Sequence, residues 1–161
     1  MSEEISVTTK IRFSDCDPLG HLNNVRYLDY MLNAREDHVE KFYGFTYEQY
    51  TKETGCTWVT IQNEISYLKE VRYNTMVTIT SKTIDIQDRT AKVEILMKSV
   101  DEKTIYAVLW INVIYFNVKT RKSERQPEDI KNLFKKYAVD LDQKNFESRS
   151  KFLRTQNAIN S

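Results

Sequence analysis

Apolar and polar positions alternate strictly near the start of the chain. Ile5, Val7, Thr9, Ile11 and Phe13 face one way, and Ser6, Thr8, Lys10 and Arg12 the other. A period of two is that of a half-buried strand. The run Ser14-Asp15-Cys16-Asp17-Pro18-Leu19-Gly20-His21-Leu22-Asn23-Asn24 stops it, because Asp, Pro, Gly and Asn are turn and cap residues. From Asn24 to about Phe42 the period lengthens to three and four residues. Leu28, Met31, Leu32, Arg35, Val39 and Phe42 then share one side of a helix. Tyr27, Ala34 and His38 widen that stripe, which predicts a largely covered helix roughly 28 Å long.

Gly44 ends the helix, and residues 43–55 read as an irregular or helical connection. Four β-rich runs follow, at about 56–68, 75–87, 90–101 and 104–118. The joints Gln87-Asp88-Arg89 and Asp101-Glu102-Lys103 are short enough for hairpins, hence for antiparallel neighbours. The last run is apolar on both faces, which predicts a central strand covered on both sides. Pro127 opens a short helix with Glu128 and Asp129 at its positive end and Lys135 and Lys136 at its negative end. Beyond Tyr137 the chain is polar with scattered Phe and Leu, the pattern of a loosely packed tail or a last short helix. The order strand, long helix, four strands, helix predicts an α+β domain.

Composition narrows the classes. A chain of 161 residues with 40% hydrophobic and 29% charged residues can bury a core without disulfides or metal. Three Gly and two Pro exclude glycine-rich phosphate loops. A net charge of +1 argues against a nucleic-acid binder. Cys16 and Cys56 have no metal or redox spacing. The polar start carries no apolar signal segment, and no apolar run is long enough to span a membrane. A reduced, cytoplasmic protein is expected. Charge is uneven: residues 1–117 carry 13 basic and 17 acidic groups, residues 118–161 carry 11 and 6. Such a basic segment is either a solvated face or a site for a polyanion such as a diphosphate.

The densest polar cluster lies between the first strand and the long helix. The first N–H groups of a helix are unpaired and carry partial positive charge. Aimed at a carbonyl oxygen, they stabilise the oxyanion of acyl transfer. A nearby carboxylate can attack the carbonyl or deprotonate water. Asp15-x-Asp17-x-x-Gly20 also opens like a calcium loop, but Leu19 and Arg26 stand at ligand positions, which excludes it. Cys16 with His21 is a competing thiol-nucleophile reading. Against it, Cys16 alternates away from Asp15 and Asp17 if the strand continues, and a lone Cys is more often a small core residue. Equally, Asp17 can simply open a turn while Asn23 caps the helix.

The run Phe13-Ser14-Asp15-Cys16-Asp17-Pro18-Leu19-Gly20-His21-Leu22-Asn23-Asn24-Val25-Arg26-Tyr27-Leu28-Asp29-Tyr30-Met31 resembles the signature of hotdog-fold acyl-CoA thioesterases of the 4-hydroxybenzoyl-CoA thioesterase-like family. The match lies in Asp15, Asp17, Pro18, Gly20 and Tyr27. The resemblance implies a five-stranded antiparallel sheet wrapped around one long central helix. It places a thioesterase domain at 1–137, followed by a polar tail or short helix at 138–161. It makes Asp17 the catalytic carboxylate and the backbone near Asn24 the oxyanion donor. His-x-Asn-Asn also resembles plant-type acyl-carrier-protein thioesterases, where a His in the place of His21 assists. Those enzymes have Asn where this chain has Leu19.

The reaction implied is hydrolysis of acyl-CoA to free acid and CoA, without metal or cofactor. His21 and Asn23 would position water or thioester. Tyr27, Tyr30 and Met31 would line the acyl group between subunits. Glu64 is a further candidate, because Gln62-Asn63-Glu64 breaks an apolar-rich strand; an edge polar patch is the alternative. A non-catalytic acyl-CoA-binding module and an acyl-carrier-protein thioesterase are the other functional readings. The resemblance also implies a homodimer or homotetramer. Independently, Tyr106, Val108, Trp110, Ile114 and Phe116 would form an exposed apolar patch on a monomer.

Overall fold

The computed structural model describes residues 4–161. Strand β1 (Ile5–Lys10) is followed by a 3-10 turn at Phe13–Asp15 and a second at Asn24–Arg26, which leads into helix α1 (Tyr27–His38). A wider π turn, Val39–Tyr43, prolongs α1 to Gly44, whose φ of 81° lets the chain turn off left-handed. Helix α2 (Tyr47–Thr54) precedes β2 (Cys56–Tyr67), β3 (Met76–Ile86), β4 (Thr90–Ser99) and β5 (Ile105–Asn117). A two-residue strand β6 (Lys122–Ser123), helix α3 (Glu128–Lys136) and helix α4 (Phe146–Asn160) complete the chain. Among the described residues no helix is long and apolar enough to cross a membrane.

All strand pairings are antiparallel, in the order β1-β3-β4-β5-β2, with β6 paired to one end of β5. The sheet curls around α1, the hotdog arrangement. Alternation sends Val77, Ile79, Val93, Ile95, Met97, Ala107, Leu109 and Ile111 onto its concave face, where they pack with Tyr27, Met31 and Ala34 of α1. A second cluster joins Ile5, Val39 and Tyr43 to Ile130 and Phe134 of α3.

Three expectations are corrected. The first strand stops at Lys10, and Phe13 is 76% exposed because the chain turns before reaching it. Leu32, counted in the helix stripe, is partly exposed, and the buried positions of α1 are Tyr27, Met31, Ala34, Arg35 and His38. The patch on β5 is covered within the chain only in part: Val108 and Trp110 are buried beneath Leu153 and Phe146 of α4, while Tyr106, Ile114 and Phe116 stay half-buried. The segment after Tyr137 thus contains a helix of 15 residues with its own buried side.

The helix α4 carries a buried ion pair to the sheet. Arg149 donates from Nε and Nη2 to the two oxygens of Glu94, at 2.8 and 2.7 Å, and the Trp110 indole N–H donates to the same carboxylate at 2.8 Å. Lys82 approaches to 3.5 Å. Burial alone would raise the Glu94 pKa; Arg149, Trp110 and Lys82 outweigh it and hold the carboxyl below its ordinary value.

With its pKa depressed in the folded state, Glu94 binds fewer protons there than when unfolded. The pair's stabilisation is therefore full at neutral pH and lost as pH falls through the carboxylate range. Arg149→Met leaves a buried carboxylate without its partner and is expected to cost about 3–5 kcal/mol in urea unfolding at pH 7. The deficit should shrink toward about pH 4, where protonation of Glu94 removes the unpaired charge. Equal stability at pH 7 would show that α4 is not held by this pair.

Candidate functional site

The polar loop folds into a closed turn. The Asp17 N–H donates to the His21 carbonyl at 2.8 Å and the Gly20 N–H to the Asp17 carbonyl at 2.9 Å. Gly20 has a φ of 81°, and a Cβ there would meet the Arg72 guanidinium at 3.2 Å, so the position suits glycine twice over. The far side of the turn pairs with residues 71–73: Leu22 N–H donates to Val71 O at 2.8 Å and Tyr73 N–H to Gly20 O at 3.0 Å.

This turn orients the Asp17 carboxylate. Its Oδ1 accepts from the Leu19 N–H at 2.9 Å and the His21 N–H at 3.1 Å. Oδ2 has no hydrogen-bond donor among the described residues. The neighbouring carboxylate is spent differently. Asp15 accepts from the Tyr30 hydroxyl at 2.6 Å, and the same hydroxyl accepts from the Arg12 N–H at 3.0 Å. Burial, then the Asp15 hydrogen bond, raises the Tyr30 phenol pKa, so it remains a neutral strut between loop and helix.

His21 lies beside Asp17 in the turn, with Nδ1 3.1 Å from Glu70 Oε2. A proton on Nδ1 donated to Glu70 leaves the Nε2 lone pair available. Asn23 sits before the second 3-10 turn and accepts from the Val25 N–H at 3.3 Å, a cap geometry. The Asn24 N–H is at the first position of that turn and donates no hydrogen bond among the described residues. The Tyr67 hydroxyl donates to the Asn24 carbonyl at 3.0 Å, which fixes the helix start to the end of β2.

Asp17, His21, Asn24 and Tyr27 share an open pocket of about 310 Å³ with Tyr67, Lys69 and Glu70. Tyr27 is buried against the Tyr67 ring at 5.0 Å, and burial pushes its phenol up to about 12, so it is a neutral group at pH 7. A carboxylate oxygen, an imidazole and an unpaired N–H at a helix start are the parts needed for metal-free acyl transfer to water.

The remaining sequence candidates lie outside this pocket. Met31 is fully buried in the core beneath α1, and Tyr30 is committed to Asp15. Glu64 is half-buried on β2, paired in register with Trp110 of β5. Cys16 does not suit a nucleophile, as the core-residue reading has it: burial, then the charges of Asp15 and Asp17, raise its pKa above the ordinary thiol value, and its Sγ points at the Arg12 carbonyl at 3.4 Å. Among the described residues no cluster of three or more His, Cys, Asp or Glu side chains is placed to hold a metal.

Tyr67, Lys69 and Glu70 were not singled out from sequence. Tyr67 and Asn24 are 43 residues apart, and no local pattern announces their meeting. The basic excess of the last segment is partly consumed within the chain. Arg149 pairs with Glu94, Lys131 with Asp88 and Glu128, Lys144 with Asp140, and Lys151 with Glu147. Arg154 of α4 reaches the Tyr67 carbonyl at 3.3 Å, beside the pocket.

The family model of the thioesterase-like superfamily matches residues 11–134. No curated protein sequence matches the chain. Solved structures share the fold at low identity. A candidate oleoyl thioesterase of Lactobacillus plantarum superposes with a TM-score of 0.77 at 19% identity, over 90% of this chain and 56% of its own. The chain thus spans little more than half the length of that protein. A Staphylococcus aureus protein solved in complex with CoA superposes with a TM-score of 0.78 at 15% identity, over 89% and 90% of the two chains. The DHNA-CoA thioesterase of Staphylococcus aureus gives 0.73 at 17% identity, over 83% and 89%.

The cap geometry of Asn23 gives a direct expectation. Asn23→Ala removes the acceptor for the Val25 N–H and should cost about 1 kcal/mol in chemical denaturation. An unchanged denaturation midpoint would show that the 3-10 turn needs no side-chain cap.

Proposed function

The chain belongs to the thioesterase-like superfamily, and from that premise we propose that it is a thioester hydrolase that cleaves acyl-CoA to a free acid and CoA. One observation carries the proposal. Backbone N–H groups hold one oxygen of Asp17, and the other is left undonated in a pocket shared with the unpaired N–H of Asn24.

In this mechanism the thioester carbonyl oxygen accepts from the Asn24 N–H, whose position at the helix start favours developing negative charge. Asp17 removes a proton from water as the water oxygen bonds to the carbonyl carbon. Collapse of the tetrahedral intermediate breaks the C–S bond, and the CoA thiolate takes up a proton. Direct attack by Asp17, giving a mixed anhydride that water then cleaves, uses the same oxygen. His21, held by Glu70, positions the water, and Asn23 maintains the turn that presents Asn24. Lys69 and Arg154 lie where they can meet phosphate charge. The CoA bound by the Staphylococcus aureus protein of the same fold supports CoA as the carrier.

We propose a symmetric dimer as the active unit. Its support is the outer strand β2, which leaves an unpaired edge and exposes Val59 and Ile61, a combination that favours pairing with a second copy. Tyr27 stays with the acyl-binding side of the pocket in this reading. Tyr30, Met31 and Glu64 have no contact with the pocket and are not assigned to the substrate.

Two measurements test these assignments. Against a panel of acyl-CoAs, Asp17→Asn is expected to lower kcat at least about a hundredfold with little change in Tm. His21→Ala should also lower kcat while keeping the fold. Near-normal turnover by Asp17→Asn would remove Asp17 from the mechanism, and thioester binding without thiol release by the parent chain would favour a binding module. In light scattering at assay concentration, the expected mass is twice the 19.1 kDa of one chain. A fully active species of single-chain mass would overturn the dimer.

A further inference from the structure

Away from the Asp17 pocket, α1 and the concave sheet, with Tyr47 of α2 and Phe134 of α3, line a second, open cavity of about 350 Å³. Its walls are chiefly apolar, with Trp58, Val93, Ile111 and Phe134 among them. Into this apolar space the fold places Arg35, which is only 7% exposed.

Arg35 has no anionic partner among the described residues; its guanidinium lies over the Tyr43 ring, 5.2 Å from the centroid, a contact that brings no negative charge. Its Nη1 donates to Ser81 Oγ at 2.9 Å and its Nη2 to the Tyr43 hydroxyl at 3.4 Å. Ser81 Oγ is in turn 2.7 Å from His38 Nδ1, a group that adds no negative charge. Among the described residues Arg35 makes no ion pair. Glu36, the one acid among the described lining residues, is exposed. A buried charge is ordinarily paired, because desolvation is costly. The buried Arg149 on the opposite face of this sheet is paired with Glu94, and Arg35 is not.

A second observation points the same way. Thr83 lies two residues beyond Ser81 on β3, hence on the same face. It lines the cavity, is 1% exposed, and its hydroxyl has no hydrogen-bond partner among the described residues. An orphan hydroxyl and an unneutralised guanidinium thus meet one apolar chamber. A carboxylate attached to an apolar body would satisfy both, since it accepts from each and brings the missing charge.

We propose that this cavity is a binding site for an apolar carboxylate, with the carboxylate on Arg35 and Thr83 and the apolar body against Trp58, Val93, Ile111 and Phe134. Arg35 follows Asn24 by about 16 Å of helix rise. The ligand is either the far-end carboxylate of a bound acyl group, which rests on the proposed hydrolase function, or a free acid.

Trp58 in the wall supplies a readout independent of hydrolysis. Tryptophan fluorescence of the full chain is titrated with octanoate and with octanamide, its uncharged isostere. Octanoate is expected to bind at least about tenfold more tightly, the factor that about 1.4 kcal/mol of added charge-assisted hydrogen bonding supplies. Thr83→Val should weaken octanoate a few-fold without lowering Tm, and Arg35→Met should abolish the preference over the amide. Equal binding of acid and amide by the parent chain overturns the site, as does a folded Arg35→Met that keeps the preference. If Arg35→Met does not fold, the acid–amide comparison and Thr83→Val decide alone, and loss of neither preference nor affinity overturns it.

Turnover then separates the two sources. A faster reaction with ω-carboxyoctanoyl-CoA than with octanoyl-CoA assigns the site to the acyl tail. Equal rates, with octanoate still bound, assign it to a free acid. Arg35-dependent octanoate binding by a chain that hydrolyses no acyl-CoA would leave this site standing and defeat the proposed function.

Discussion

Every residue of β4 from Val93 to Lys98 is buried, and that double-sided burial governs the architecture. A sheet with no wet face at its centre must be covered twice. One cover is α1, gripped by the concave face through Tyr27, Met31 and Ala34; the other is α4, laid across the convex face through Leu153 and Phe146. The covers also position chemistry. Packing α1 down the sheet brings its start to the loop that carries Asp17. Packing α4 across the back brings Arg154 to the rim of the same pocket.

Within the loop, two carboxylates a residue apart have opposite surroundings. Asp15 is tied by a phenol that is itself held by backbone, so its capacity goes into joining the loop to α1. Asp17 is held from behind by two N–H groups of its own turn, which orients the side chain without occupying its second oxygen. The difference comes from the 3-10 turn at Phe13–Asp15, which takes Asp15 itself out of strand alternation and breaks that alternation before Asp17. Had the strand continued, both would have pointed the same way.

The two buried arginines make a parallel contrast. Arg149 meets Glu94 in a two-point geometry on the convex side, where α4 and the sheet are locked together. Arg35 meets two hydroxyl groups and the Tyr43 ring but no carboxylate on the concave side, where helix and sheet stand apart around an apolar cavity. One guanidinium closes an interface within the chain. The other leaves a charge to be completed by something that enters.

Much of this was legible in the sequence, because periodicity is local. Alternation and the three- and four-residue steps gave the strands and the long helix, and short polar joints gave the hairpins. The Asp-x-Asp-Pro-x-Gly run marked the loop and pointed to its family, and Asp17, His21 and Asn24 do share a pocket. Tertiary structure alone decided the rest. Residues 138–161 read as a loose tail or a short helix because α4 carries its buried side on few apolar residues and a paired arginine, which a hydropathy pattern reads as polar. Met31 and Arg35 read as helix-stripe residues, and Tyr30 as a residue lining the acyl group. Only the sheet wrapped around them separates a loop strut, a core side chain and a buried charge facing a cavity, because those roles depend on what lies opposite.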